Sequence, residues 1–235
     1  METNNNKDYI LPASIIVAAV LIAGSIIYLV GSSKTNSGGV ANNNGGQNPS
    51  AVNTDVQKLG SRDVILGDAK APVTIIEYGD YQCPYCVRFF QTTEQSIRDN
   101  YVKNGKVKIV FRGFQFLGAE SELAGQAAEC AKDQNNFWTY HDAIYNAEAK
   151  DGSENNGNMN RDFFIGLAKN AGLDVNKFTS CYDGGKYAST VKQGTQDAAA
   201  LGVNSTPTLF VNGQIVKGAL PFDQFKTIID AALTK

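Results

Sequence analysis

Cys83-Pro84-Tyr85-Cys86 puts two thiols one helical turn apart. At that spacing they can close a disulfide of ordinary geometry, or supply half of a metal clip. If Cys83 stands where a helix begins, the unpaired N–H groups and the positive end of the helix dipole favour its thiolate. That makes Cys83 the sulfur that attacks and is attacked. Cys86, deeper in the helix, keeps a higher pKa and resolves the mixed disulfide. A structural zinc needs further ligands at suitable spacing, and the sequence offers none: Cys130 and Cys181 are distant, and His141 is the single histidine. His141, between Trp138 and Tyr145, reads as packing within a helical region. A Cys–His hydrolase finds no element that would set His141 against Cys83.

Two other features bear on the chemistry. Glu77 falls inside a strand pattern six residues before Cys83. A carboxylate there is costly unless paired or protonated, so it is either a functional acid or a strand-end residue reaching solvent. Asp80 reads as a turn residue. Thr206-Pro207 precedes a second strand; on its own it is an ordinary boundary proline, although X-Pro bonds are the ones that adopt cis readily.

The elements that position these residues follow from periodicity. Residues 73–78 (VTIIEY) form a β-branched strand between Pro72 and Gly79. Residues 84–101 carry Val87, Phe90 and Ile97 at helical spacing behind a proline that a first turn tolerates, with Phe89 and Phe90 as core and near-site surface. Residues 107–111 (VKIVF) return to strand, completing a βαβ unit with parallel pairing. A helical block over 119–201, interrupted at 151–158, leads to TLFV and QIVK flanking Asn212-Gly213, the dipeptide of a type I′ hairpin. A helix from residue 222 ends the pattern.

Toward the amino end, residues 10–30 carry no charge and are long enough to cross a bilayer as an uncleaved helix of ~20 residues. Lys7 and Lys34 leave its orientation undecided. Residues 31–60, rich in Gly, Asn and Ser, read as a flexible tether. The expected organisation is a short terminus (1–9), an anchor (10–30), the tether, and one domain over 61–235 with its helical insert at about 118–202. A net charge of -2 without a basic stripe argues against nucleic acid as a partner.

APVTIIEYGDYQCPYC, ECAKDQNNFWTYHDAIY and GVNSTPTLFVNGQIVKGALP, in that order, resemble the DsbA-type thiol:disulfide oxidoreductases of the thioredoxin superfamily in their membrane-tethered bacterial form. The resemblance runs from about Asp63 to the end. It implies an α/β thioredoxin fold with an inserted helical domain, and an extracytoplasmic enzyme that introduces disulfides into exported proteins without a cofactor other than its own Cys83–Cys86 pair. It implies that Pro207 is the cis-proline facing the cysteines, that Thr206 and Pro207 bind substrate, and that Glu77 helps move the proton of Cys86. Pro84 and Tyr85 tune the couple; Pro-His marks strongly oxidising relatives, and Tyr85 brings no imidazolium to the thiolate. Expected partners are reduced or unfolded exported polypeptides and a DsbB- or VKOR-type membrane reoxidant, with the protein itself monomeric. Reductase or glutaredoxin-like activity, isomerase activity, and a non-catalytic metal- or peptide-binding module are the competing readings. An isomerase would need a dimerisation module, for which the tether leaves no room. Cys130 and Cys181 are candidates for a structural disulfide, or two buried thiols. A disulfide persists only in an oxidising compartment, which would set the amino terminus inside and the catalytic domain outside.

Overall fold

A computed structural model describes residues 56–151 and 153–234; the expected anchor at residues 10–30 and nearly all of the tether lie outside the described residues. No helix among the described residues is long and apolar enough to cross a membrane. Five strands form one sheet in the order β1-β3-β2-β4-β5. They are β1 (Ile65–Leu66), β2 (Val73–Gly79), β3 (Val107–Gly113), β4 (Thr208–Val211) and β5 (Gln214–Lys217). β2 is central, parallel to β3 and antiparallel to β4. The β4–β5 turn has Asn212 at φ 45° and Gly213 at φ 81°, both left-handed as a type I′ turn requires. The two-residue β1, antiparallel to β3, was not expected, because it is too short to show a periodicity.

Between β2 and β3 the chain is helical, but it is not the uniform α-helix expected for 84–101. α1 (Pro84–Arg88) and α2 (Gln95–Ile97) alternate with π-helical segments Phe89–Glu94 and Arg98–Val102. A row of side chains explains the loosened ladder. Thr92 Oγ1 donates to the Arg88 carbonyl, Ser96 Oγ to that of Thr92, and Asn100 Nδ2 to that of Ser96, so each offers a carbonyl four residues back a competing donor. The helical insert comprises α3 (Ala119–Lys132), α4 (Phe137–Asp151), α5 (Arg161–Asn170), α6 (Val175–Asp183) and α7 (Ala188–Ala200), and α8 (Phe222–Leu233) follows the hairpin.

Because β2 sits in the middle of the sheet, both of its faces are covered. Val73 and Ile75 pack with Phe89, Ile97, Phe225 and Ile229 on one side. Ile76 and Tyr78 pack with Val110, Phe210, Ala198 and Val56 on the other. Val56 is fully buried although the composition of its surroundings assigns it to the tether, and its carbonyl accepts from Arg112 Nη1 at 3.1 Å. A third cluster joins Cys83, Cys86, Phe90 and Phe111 to Tyr140, Ile144 and Tyr145 of the insert, so the active-site end of the sheet and the insert share one apolar seam. Cys130 and Cys181 form a disulfide between α3 and α6, with their Cα atoms 5.9 Å apart.

Candidate active site

Cys83 occupies the N-cap of α1, with extended backbone (φ -73°, ψ 118°) and Pro84 as the first helical residue. Proline suits that place because the N–H it lacks would have no helical partner. The Cys83 N–H bonds the Asp80 carbonyl at 3.1 Å, and the Cys83 carbonyl accepts from Val87 at 3.0 Å, which locks the turn. Cys83 and Cys86 are both unpaired, buried thiols. Cys83, 6% exposed, is the more accessible of the two; Cys86 is fully covered.

The two sulfurs have opposite acidities. The Cys83 thiol is pushed down to about 6 from an ordinary 9.0. The largest cause is the hydrogen bond its thiolate receives from the Cys86 thiol; burial opposes it, and the Thr206 hydroxyl and the N–H groups of Cys86 and Tyr85 assist. Burial drives Cys86 well above the ordinary thiol value, and the neighbouring Cys83 adds to this. Thr206 and Pro207 are joined by a cis peptide bond, and the protonated Cys83 Sγ lies 3.5 Å from the Thr206 carbonyl oxygen. Thr206 Oγ1 has no other partner among the described residues, which leaves it available to the thiolate.

Around the thiols the surface is aromatic and open. Tyr85 is 58% exposed, with the Arg88 guanidinium 5.0 Å from its ring centre. Phe116, also exposed, is held close to the cysteine loop by Asp80. Asp80 does more than the turn role expected of it. It is fully buried, its Oδ1 accepts from the Gln82 N–H and the Ser121 hydroxyl, and its Oδ2 accepts from the N–H groups of Phe116 and Leu117. One carboxylate thus ties the β2–α1 loop to the β3–α3 loop and the start of the insert, while burial still raises its pKa above the ordinary value.

Glu77 is 1% exposed, which rules out the solvent-reaching alternative. It pairs in register with Phe111 on one side and Leu209 on the other, so neither neighbouring strand leaves it a path to water. Its Oε1 has no hydrogen-bond partner among the described residues. Burial holds its carboxyl well above the usual range, with Glu94 raising it further, Arg98 opposing, and Cys83 raising it again.

His141 is fully buried as expected of packing, but its ring is not confined to the insert. It meets Tyr81, Phe90 and Phe111 as well as Phe137, Trp138 and Tyr145, so it sits at the seam. Sequence reading missed Glu94 and Arg98, a buried ion pair that also ties to Asp142 of the insert and whose charges act on the Glu77 carboxyl. Their only signal was an acid and a base four residues apart on a helix, a pattern that usually marks a solvated face. Among the described residues no group of three or more His, Cys, Asp or Glu side chains is placed to hold a metal ion.

This arrangement matches known proteins along most of the chain. The Thioredoxin family model fits residues 60–231. The chain belongs to the thioredoxin family. The probable disulfide bond formation protein D of Bacillus anthracis is 28% identical over 99% of both chains. The crystal structure of oxidised BdbD from Bacillus subtilis superposes with a TM-score of 0.68 at 27% identity, covering 74% of this chain and 94% of that one. Wolbachia pipientis alpha-DsbA1 shares the fold at a TM-score of 0.69 and 22% identity, covering 77% of this chain and 95% of its own. Within the thioredoxin family this chain is therefore a DsbA- and BdbD-like thiol–disulfide oxidoreductase, and its redox centre is the Cys83–Cys86 pair.

Proposed function

We propose that this thioredoxin-family enzyme oxidises dithiols of exported polypeptides outside the cytoplasm, with Cys83 as the exchanging sulfur and Cys86 as the resolving one. The observation that carries the reading is the split between the sulfurs: one acidic and at the surface of the site, the other buried and held as a thiol. In the oxidised enzyme, a client thiolate attacks Cys83 Sγ; the Cys83–Cys86 bond breaks, and Cys86 leaves as a thiolate that takes up a proton. A second client thiolate then attacks the client sulfur of the mixed disulfide and expels Cys83 as a thiolate. The client loses two electrons, which the enzyme pair holds. The low proton affinity of Cys83 makes it a good leaving group, which favours this direction.

Thr206 and Pro207 hold the client backbone beside Cys83, Pro84 and Tyr85 set the balance between thiolate and disulfide, and Glu77 serves the proton of Cys86. The Cys130–Cys181 disulfide supports an oxidising compartment, since cytosolic thiols are kept reduced. Together with the uncharged run at residues 10–30, it supports a single anchor helix, the amino terminus inside, and the catalytic domain over 61–235 on the outer side. A membrane reoxidant of the DsbB or VKOR type then returns the pair to the disulfide. The test is single-turnover oxidation of a reduced, unfolded client. Wild-type protein should transfer its disulfide and Cys83→Ser should abolish transfer, while Cys86→Ser, incubated instead with a client that carries a disulfide, should hold the Cys83 mixed disulfide because no Cys86 thiol is present to resolve it. Equilibration against glutathione buffers separates donor from reductase, because a glutaredoxin-like potential would leave the pair a reductant. A reporter fused after Leu59 should be active only outside the cytoplasm.

A further inference from the structure

The edge of the sheet that carries the thiols also carries an aromatic side chain that disulfide exchange, as described above, does not use. β2 lies between β3 and β4, parallel to the first and antiparallel to the second. The loops that follow β2 and β3 and the loop that precedes β4 therefore open at one edge, with the cysteines in the middle. Thr206 flanks them on the β4 side and Phe116 on the β3 side. Among the described residues four large apolar side chains are exposed, Leu59, Tyr85, Phe116 and Ile215, and two of them, Tyr85 and Phe116, stand at this edge. Exposed apolar surface that borders a reactive sulfur offers area to whatever that sulfur reacts with.

Residues 114–118 have no regular structure, yet every N–H from Phe114 to Leu117 is held from outside the loop. The Phe114 N–H bonds the Gly79 carbonyl at 2.8 Å, and the Gln115 N–H bonds the Thr195 hydroxyl of α7 at 3.1 Å. The N–H groups of Phe116 and Leu117 share Asp80 Oδ2 at 2.9 and 3.1 Å. The Phe116 ring rests on that of buried Phe114, with centres 4.9 Å apart. Asp80 Oδ1 meanwhile accepts from the Gln82 N–H at 3.0 Å and from the Ser121 hydroxyl at 2.6 Å. One fully buried carboxylate thus fixes the spacing between the thiol loop and the aromatic. Its bonds are charge-assisted, and a side chain with a single acceptor oxygen would serve one loop but not both. A ring fixed in this way has lost its freedom at folding, so a ligand that lands on it does not have to order it.

We infer that Phe116 is a specificity-determining residue that takes a large apolar side chain of the client on the β3 side of the cysteines, opposite Thr206, and that Asp80 is the positioning residue that holds it there. The occupant is the reduced client itself. An unfolded polypeptide exposes aromatic and aliphatic side chains that its folded form would bury, and one whose thiolate attacks Cys83 must lie across this edge. The inference rests on the oxidoreductase reading and adds to it a preference among clients.

The experiment compares two reduced dithiol peptides that differ only in the residues on either side of the attacking cysteine, Phe in one and Ala in the other. The readout is the ratio of their second-order rate constants for single-turnover oxidation by the oxidised full chain. Wild-type protein should favour the Phe peptide about tenfold, the order of one well-placed aromatic contact. Phe116→Ala should cut that ratio about fivefold, and Phe116→Tyr should keep it. Asp80→Asn, whose one amide oxygen can serve only one of the two loops, should cut it nearly as far, and should change nothing further in the Phe116→Ala background. A variant that only loosened the structure would slow both peptides alike and leave the ratio where it was. Should Asp80→Asn fail to fold, amide hydrogen exchange of the wild-type protein tests the same tie: the Phe116 and Leu117 N–H groups should exchange about 100-fold more slowly than in an unstructured peptide. Equal rates for the two peptides with wild-type protein, or a ratio unmoved in folded Phe116→Ala, overturns the specificity role. A ratio unmoved in folded Asp80→Asn, or free exchange of the two amides, overturns the positioning role. Failure of the wild-type protein to oxidise either peptide would instead defeat the oxidoreductase reading itself.

Discussion

The acidity of Cys83 is traced mainly to one donor, the Cys86 thiol, and this can be tested by replacing that donor. Hydrogen bonds to charged groups contribute about 1.5–3 kcal/mol, and a thiol is a weak donor, so the lower figure applies. At 1.36 kcal/mol per pKa unit, Cys86→Ala should raise Cys83 by about one unit, from about 6 to about 7. Cys86→Ser keeps a hydroxyl where the thiol stood and should titrate near the wild-type value. The assay is the ultraviolet absorbance of the thiolate across pH in each single-cysteine variant, with the rate of alkylation as a second reading of the same ionisation. Near pH 6 the alanine variant should be about one-tenth thiolate where the serine variant is about half. If the two variants titrate together, the anion is held by Thr206 and the helix N–H groups instead. If both titrate near 9.0, the site does not stabilise a thiolate at all.

Cys83 is depressed in the folded state, so it contributes stability that is fully present above the unfolded thiol value of about 8.5 and is lost as pH falls through about 6. Only the reduced protein has this thiolate, and the urea midpoint of reduced relative to oxidised protein should therefore rise with pH across that window. Replacing both Cys130 and Cys181 with serine releases a crosslink between residues 51 apart and should destabilise the fold by up to about 4 kcal/mol in the chain-entropy view, measured by denaturant unfolding. Gly79→Ala would place a methyl 2.6 Å from Phe111, 3.0 Å from the Tyr145 hydroxyl and 3.1 Å from Glu77 Oε1. It should cost about 1–3 kcal/mol by overpacking, seen as a lowered urea midpoint.

Much of this enzyme is written locally. The β-branched run at β2, the Asn-Gly turn between β4 and β5, and a proline following Cys83 at a helix start are each specified by a few adjacent residues, because backbone preference and hydrophobic period act over short range. The cysteine pair and the helix-start place of Cys83 follow from the same short segment, whereas the burial of Cys86 and the Thr206 donor come from the fold. The partnership of Cys130 with Cys181 was only a candidate in the sequence, since it depends on α3 and α6 packing side by side. The burial of Glu77, the anchoring role of Asp80 and the seam position of His141 likewise depend on which strand lies in the centre of the sheet and where the insert docks. Glu94, Arg98 and Asp142 look in sequence like ordinary surface charges. Only packing buries Glu94 and sets Arg98 between it and Asp142, and a charge acquires its energetic meaning from what surrounds it in space rather than from its neighbours along the chain.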